Sequence, residues 1–353
     1  MDTMLDIIIP QYNESEELIN HLLTSIENQI GINLSTILKV TIVNDHSKYK
    51  LSNEFLSRFH FPLEYIETPV NGGAGRARQY GMDHTSAPYI MFCDADDRLY
   101  DCSALMKLLN QIRLLEVQQK PWSYIWSYFY EEFRKDRAYD LIPHDKPSMI
   151  FMHGKVWNRK FLQEHDIKFH PSLRTFEDTY FGKLVALVSP RSQQFCLKEY
   201  TYIWMRNPNS VTAQWNHDGK QYLYWQVDDY ITCNKDSLKV LYDKRNSIPR
   251  WKELLMVSLL FTYFLIQSAD FQDNEQDTLD RRGRLEDFFS ELCIDYSNEI
   301  KSLTPAELRG VFMETRQDAL TRYRLLDCNE NWEDFKRRME DKYGLDLRDC
   351  LKL

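Results

Sequence analysis

Three strings in this chain carry residue types that could do chemistry together. Asp94-Ala95-Asp96-Asp97 follows the apolar run Tyr89 to Cys93. Carboxylates one residue apart at a strand end can hold a divalent ion while that ion bridges two phosphates. Taken alone the string is common, and a solvated acidic turn fits it as well. Asn71-Gly72-Gly73-Ala74-Gly75-Arg76-Ala77-Arg78-Gln79-Tyr80-Gly81 joins glycines, which let backbone approach a ligand, to a helix start that favours an anion. A dinucleotide fingerprint fits poorly there, because its third glycine would fall at Arg78. A glycine turn before a basic helix remains the plain alternative. Glu177-Asp178 opens a pattern of Tyr180, Phe181, Leu184, Val185 and Val188 at helical spacing. An acidic pair in a first helical turn suits the macrodipole, and it also suits a positioned general base.

Two weaker segments accompany these. His153-Gly154-Lys155-Val156-Trp157 precedes a helical pattern, and its lone histidine could be structural or a ligand. Tyr200 to Thr212, with Trp204, Arg206 and Ser210, reads as a strand and turn or as a basic contact to phosphate. Hydrolase-elbow, zinc-protease, EF-hand, kinase and Gly-Lys-Ser/Thr phosphate-loop signatures are missing, and no Cys/His nucleophile can be assembled.

The elements that must position these strings follow from hydrophobic periodicity. Leu5 to Ile9, Val40 to Val43, Leu63 to Ile66 and Tyr89 to Cys93 are short apolar runs, each closed by polar residues. Between them helical spacing recurs at Leu18, Leu22, Leu23 and Ile26, with Asn13 and Glu16 as a possible cap. Short apolar strands alternating with helices indicate a parallel sheet covered on both faces. Ligands then sit beyond the carboxyl ends of the strands, where Gln11 to Glu14, Asn44 to Ser47, Asn71 to Arg78 and Asp94 to Asp97 would gather on one edge. Further on, Trp122 to Phe133 reads as a strand followed by a polar connection. Lys155 to His165 and Asp178 to Val188 read as helices, and Phe195 to Met205 as a strand. After about Ala213 the pattern becomes helical and charged, through Trp215 to Tyr242, Trp251 to Gln267 and Asp277 to Lys342, with linkers at 246–249 and 270–276.

Composition narrows the classes. The 353 residues carry 44 Lys+Arg against 53 Asp+Glu, a net charge of −9, which does not favour non-specific nucleic-acid binding. Aromatic residues make up 14%, enough for a large core or a cleft lined with flat surfaces for sugars and bases. The seven cysteines are scattered without a Cys-x-x-Cys pair, so neither a disulfide framework nor a zinc ribbon is indicated. Asp2 and Asp6 stand where a signal peptide would want basic residues. The longest apolar stretch, Leu254 to Ile266, falls short of the roughly 20 residues that span a bilayer. The expectation is a cytoplasmic protein without a membrane span.

In order, these pieces resemble the family 2 glycosyltransferases, inverting enzymes of the GT-A fold that use a nucleotide-activated sugar. The opening strand and turn of that family are similar to Asp6-Ile7-Ile8-Ile9-Pro10-Gln11-Tyr12-Asn13-Glu14. Its second strand end resembles Val43-Asn44-Asp45-His46-Ser47, and its glycine-arginine segment resembles Asn71 to Gly81, with Gln79 in place of the usual Asn. Asp94 and Asp96 match its Asp-x-Asp motif, Gly154 to Leu162 its Lys-containing helix, and Glu177-Asp178 its acidic pair. Gln11 departs from the small apolar residue common there. The likeness covers about residues 4 to 212 and leaves out the C-terminal helices.

The resemblance implies an α/β GT-A domain over 1–213, with a nucleotide-sugar half to about residue 100 and an acceptor half over 101–213. A helical region over 214–353 would then serve acceptor binding or oligomerisation. It implies that Pro10, Tyr12, Glu14, Asp45, Asn71, Gly73, Arg78 and Asp94 bind the donor nucleotide, with Asp45 accepting from the base and Arg78 contacting the nucleotide or holding Asp94. Asp96, with Asp94, would ligate Mn²⁺ or Mg²⁺. Asp178, or else Glu177, would be the general base, and His153, Lys155 and Arg206 would contact metal or phosphate. The implied donor is a nucleotide-sugar, most readily a UDP-sugar. The acceptor is a glycan, a teichoic-acid-like or other polymer, or a protein, with modified bases in nucleic acid less favoured. A catalytically inactive binding module and a nucleotidyltransferase are the competing classes; the second wants a Gly-rich N-terminal loop with a basic residue, which is lacking. Arg281, Arg282, Arg284, Arg322, Arg324, Lys336, Arg337 and Arg338 form either a basic face for an anionic polymer or a solvated surface with interspersed acids.

Overall fold

The structure is a computed structural model that describes residues 3–135, 138–148, 150–207, 222–248, 250–302, 309–313, 315–316 and 332–343. Two compact units divide after Ser210.

The first unit is built on a nine-stranded sheet. Its strands are β1 (Leu5–Gln11), β2 (Leu38–Asn44), β3 (Leu63–Glu67), β4 (Tyr89–Phe92), β5 (Arg98–Leu99), β6 (Tyr124–Lys135), β7 (Ala138–His144), β8 (Lys155–Asn158) and β9 (Gln194–Met205). The order is β3-β2-β1-β4-β8-β6-β9-β5, with β7 pairing β6. β1 to β4 pair in parallel, as the four apolar runs predict. Between the strands come α1 (Glu16–Glu27), α2 (Leu34–Ile37), α3 (Asn53–Leu56), α4 (Ala74–Asp83) and α5 (Ala104–Val117), and the buried strand side chains form one core with the leucines of α1 and α5. The shared strand direction sets the polar segments after β1, β2 and β4 on one edge of the sheet.

Three expectations are corrected. The stretch from Lys155 does not begin as a helix. Lys155–Asn158 is β8, inserted antiparallel between β4 and β6, and α6 (Arg159–Glu164) starts only at the cap supplied by Asn158. Val156 and Trp157 are buried there between two strands, a setting that suits branched and aromatic side chains. The polar connection after Phe133 is partly β7, which extends β6 into a hairpin. Helix α1 is capped by Ser15, whose hydroxyl accepts from Leu18 N–H. Asn13 instead has φ +67° and accepts from Lys48 N–H at 2.7 Å. The sheet is therefore mixed: β1, β2, β3, β4, β6 and β9 run one way, and β5, β7 and β8 oppose them.

A buried clasp ties the start of β1 to the end of α4, the entry to β4 and the start of α6. Arg159 donates to Asp6 at 2.8 Å, and also to Met82 O, Ala87 O and Thr85 Oγ1. Helices α4 (Ala74–Asp83) and α7 (Glu177–Val188) complete the layer that approaches the edge.

In the second unit, helices Val227–Asp243, Trp251–Ile266 and Gln276–Asp295 pack around Leu238, Leu255, Phe264, Leu285 and Phe289. Arg281 pairs with Asp277 at 2.9 Å and Arg284 with Asp228 at 3.0 Å, while Arg282 donates to Phe271 O. Lys336 pairs with Glu333 and Arg337 lies 3.8 Å from Asp334. These cations sit among acids, as a solvated helix surface does. Arg322, Arg324, Ser210 and the side chain of Arg338 lie outside the described residues. Among the described residues no helix is long and apolar enough to cross a membrane.

Candidate active site

The residues after β2 build a self-contained loop anchor. Asp45, 2% exposed, accepts from Thr68 Oγ1 at 2.9 Å, from Gly72 N–H at 3.0 Å and from Gly73 N–H at 2.7 Å. Asn71 donates to Asp45 O and accepts from Arg174. Gly73 stands at φ +86°, left-handed backbone that a side chain would strain, and α4 starts on the next residue. The Asp45 carboxylate thus spends its lone pairs on its own chain.

The segment after β4 is organised differently. Arg78, buried on α4, donates to Asp94 at 2.6 Å and to Glu177 at 3.0 Å, so one guanidinium joins the β4 loop to the start of α7. Gly75 makes this approach possible, since a Cβ there would lie 2.7 Å from Glu177 Cβ. Phe176, at φ +60° just before α7, turns the chain so that Glu177 and Asp178 open the helix at the cluster. Asp178 accepts from Thr179 N–H at 2.6 Å.

His153 completes the group. Its Nε2 lies 3.6 Å from Asp94 Oδ2 and 3.7 Å from Asp97 Oδ2, and the imidazole is stacked on Tyr202 and Phe151. Asp97, 0% exposed, accepts from Tyr202 Oη at 2.7 Å and Met205 N–H at 2.8 Å. Asp96 accepts from Asn207 at 3.1 Å.

The charges are unevenly satisfied. Burial raises Asp94, but Arg78 and His153 outweigh it and hold this carboxyl well below the usual range. Burial, then the Asp94 charge, pushes Asp96 up, and the same causes with Asp96 added push Asp97 well up. Burial and the neighbouring Asp178 raise Glu177, and burial raises Asp178. Glu14, half-buried beside Tyr12 N–H, is pushed up to about 7 by burial, with Asp96 and Asp94 adding to it. Arg78 alone does not neutralise this many acids.

One oxygen each of Asp94 and Asp97 and one nitrogen of His153 lie within 4.8 Å of one another, close enough to share a cation. His153 Nδ1 is buried without a hydrogen-bond partner. Two carboxylates and an imidazole form a mixed donor set, which suits Mn²⁺ better than Mg²⁺ with its preference for oxygen. The residues fit such a group.

The other expected site residues have partners of their own, and the Asp178 charge acts on Lys155. Tyr12 is 53% exposed, and Pro10 is on β1. Gln11 is buried, accepting from Tyr65 Oη. Lys155 sends its ammonium to Ser148 O at 2.5 Å and to Phe151 O, and burial brings it down to about 7. Arg206 pairs with Glu131 at 2.5 Å. Asp97 and Tyr202 were not singled out as site residues by sequence reasoning. Asp97 is visible as the fourth residue of the acidic string, whereas nothing local marks a tyrosine on a strand 105 residues later.

A mostly parallel sheet with acidic groups at its carboxyl edge and helices on both faces defines the GT-A class. Residues 6–164 match the model of glycosyl transferase family 2, and that match lies within the first unit. A teichoic acid poly(glycerol phosphate) polymerase of Staphylococcus epidermidis is 35% identical over 95 residues, 27% of this chain and 13% of the polymerase. The uncharacterized glycosyltransferase EpsJ of Bacillus subtilis is 26% identical over 252 residues, 63% of this chain and 68% of EpsJ. The fold is shared with residues 1–349 of the Staphylococcus aureus poly(ribitol-phosphate) β-N-acetylglucosaminyltransferase TarS in complex with UDP-GlcNAc. That superposition has a TM-score of 0.62 and 15% identity, covering 91% of this chain and 92% of that one.

Proposed function

We propose that the chain is an inverting, cation-dependent glycosyltransferase that moves a sugar from a UDP-sugar to a hydroxyl of an anionic polyol-phosphate or related glycan polymer. The observation that carries this reading is the Arg78 bridge, which draws Asp94 and the Glu177–Asp178 pair to one edge of the sheet. The UDP-GlcNAc complex of the TarS fold neighbour supports the donor class, and the polymer-modifying relatives support the acceptor class.

The chain's residues divide the work. Asp94, with Asp97 and His153, would hold Mn²⁺ against the diphosphate, and Asp96 stands beside them as a further carboxylate. When bound, that cation supplies charge neutralisation for the departing nucleoside diphosphate. The loop held by Asp45 presents the glycine backbone and the start of α4 toward the donor. Asp178, raised by burial, is the general base that takes the acceptor hydroxyl proton. The freed oxygen attacks the anomeric carbon from the face opposite the leaving diphosphate, so configuration inverts. Glu177 is held by Arg78 as its counter-ion, which leaves Asp178 the freer carboxylate of the two.

The test is transfer of labelled N-acetylglucosamine from UDP-GlcNAc to poly(ribitol phosphate) or poly(glycerol phosphate) with Mn²⁺, read by product anomer. A β-linked product that is lost in Asp178→Asn supports the reading. Release of pyrophosphate, or donor binding without any transfer or hydrolysis, contradicts it.

A further inference from the structure

One side chain touches every member of the Asp94, Asp97 and His153 group, and it comes from the far side of the sheet. Tyr202, on β9, is 0% exposed. Its hydroxyl donates to Asp97 Oδ2 at 2.7 Å and accepts from Asp94 N–H at 3.1 Å. Its ring lies flat on the His153 imidazole, with centroids 5.3 Å apart and planes 10° from parallel. Around it Phe151 stacks at 17°, Trp204 lies tilted with centroids 5.3 Å apart and Phe129 meets it edge-on, while Nε2 faces Asp94 and Asp97 and Nδ1 has no hydrogen bond. A ligating histidine ordinarily has its second nitrogen tied to a carboxylate or carbonyl, which fixes the ring. Here that tie is missing and an aromatic wall stands in for it.

We infer that Tyr202 is the positioning residue of the cation site, fixing Asp97 through its hydroxyl and His153 through its ring. The inference rests on the reading of the site as cation-dependent. Its chemistry is specific. A phenol that donates to one carboxylate oxygen leaves the other lone pairs of Asp97 aimed as the neighbouring Met205 N–H and Tyr202 allow. Accepting from Asp94 N–H, the same oxygen sets the turn from which the Asp94 carboxylate projects. Because β9 belongs to the half of the unit remote in sequence from the donor loops, Tyr202 also ties the two halves of the site together.

The experiment is Mn²⁺ binding by electron paramagnetic resonance, with and without UDP, on wild type, Tyr202→Phe, Phe151→Leu, Asp97→Asn and the Asp97→Asn/Tyr202→Phe double variant, each also measured for thermal unfolding. Removing an outer partner of a metal ligand typically weakens metal affinity about 10–100-fold. Tyr202→Phe is expected to show a loss of that order, Phe151→Leu a loss under about threefold, and the double variant no more loss than Asp97→Asn. Unchanged Mn²⁺ affinity in Tyr202→Phe overturns the inference while leaving the cation reading intact. Equal losses in Phe151→Leu and Tyr202→Phe overturn it as well, because packing alone would then account for them. Additive losses in the double variant likewise refute action through Asp97. No Mn²⁺ binding by wild type with UDP overturns both readings together.

Discussion

Two acidic settings follow β2 and β4, the strands that flank β1 in one sheet, and differ in what satisfies them. After β2, Asp45 is surrounded by neutral donors of its own unit: the Thr68 hydroxyl and the Gly72 and Gly73 amides. After β4, Asp94, Asp96 and Asp97 stand with Glu14, Glu177 and Asp178, and the basic side chains placed against them are Arg78, His153 and, toward Asp178, Lys155. The first carboxylate is complete without a ligand and acts as a structural anchor. The second group carries surplus negative charge, held in place by Arg78 and Tyr202, which a bound cation would relieve. Charge in the first setting builds the loop; charge in the second awaits a partner.

The sharpest way to break this contrast is to remove the guanidinium that both sides of the cluster share. Arg78→Ala leaves Asp94 and Glu177 beside each other without their cation. Breaking a buried pair in this way costs about 3–5 kcal/mol, to be read from urea unfolding. A cost under about 1 kcal/mol would mean that the cluster is well solvated.

Asp178→Asn keeps an oxygen for the Thr179 amide and removes only the proposed base. Its turnover is expected to fall about 10²–10⁴-fold, the usual contribution of a general base, with the KM for the donor within threefold of wild type. In wild type the base must be ionised and its pKa is raised by burial. Turnover therefore falls as pH drops through a value above the ordinary aspartate range, and a flat profile would exclude this residue.

Asp45→Asn weakens charge-assisted bonds to Gly72 and Gly73. A loss of about 1–3 kcal/mol in stability is expected, with Mn²⁺ affinity unchanged. A large drop in Mn²⁺ affinity would merge the two settings that are separated here.

The smallest effect concerns Glu14. Its carboxyl, pushed up to about 7, binds a proton more tightly in the folded than in the unfolded chain. Its contribution to stability is therefore present below the ordinary glutamate range and is lost as pH rises toward and through 7. Apoprotein stability should decline over that window, and Glu14→Gln should flatten the decline.

Much of the donor-side architecture was legible in the chain. Leu5 to Ile9, Val40 to Val43, Leu63 to Ile66 and Tyr89 to Cys93 are short apolar runs closed by polar residues, and they lie in or at the parallel strands β1 to β4. The acidic string and the Glu177–Asp178 pair were visible as types in sequence. Other features needed the fold. Lys155–Asn158 is four residues long and runs directly into a helix, so no period could separate strand from helix there. The hand-off of Lys155 to backbone carbonyls and of Arg206 to Glu131 depends on partners that no spacing announces. The meeting of Asp97, His153 and Tyr202 spans the turn after β4, the turn before β8, and β9, and only the strand order brings them together.

The most direct test of the central claim is thermal unfolding of the wild-type chain and Asp94→Asn with UDP, with Mn²⁺, and with both. A ligand that binds the folded state at 100 times its Kd adds about 2.7 kcal/mol. The account predicts an upward shift of several degrees for wild type with the pair, far larger than with either alone, and little or none in Asp94→Asn. An equal shift with UDP alone, or the same response in both proteins, would contradict it.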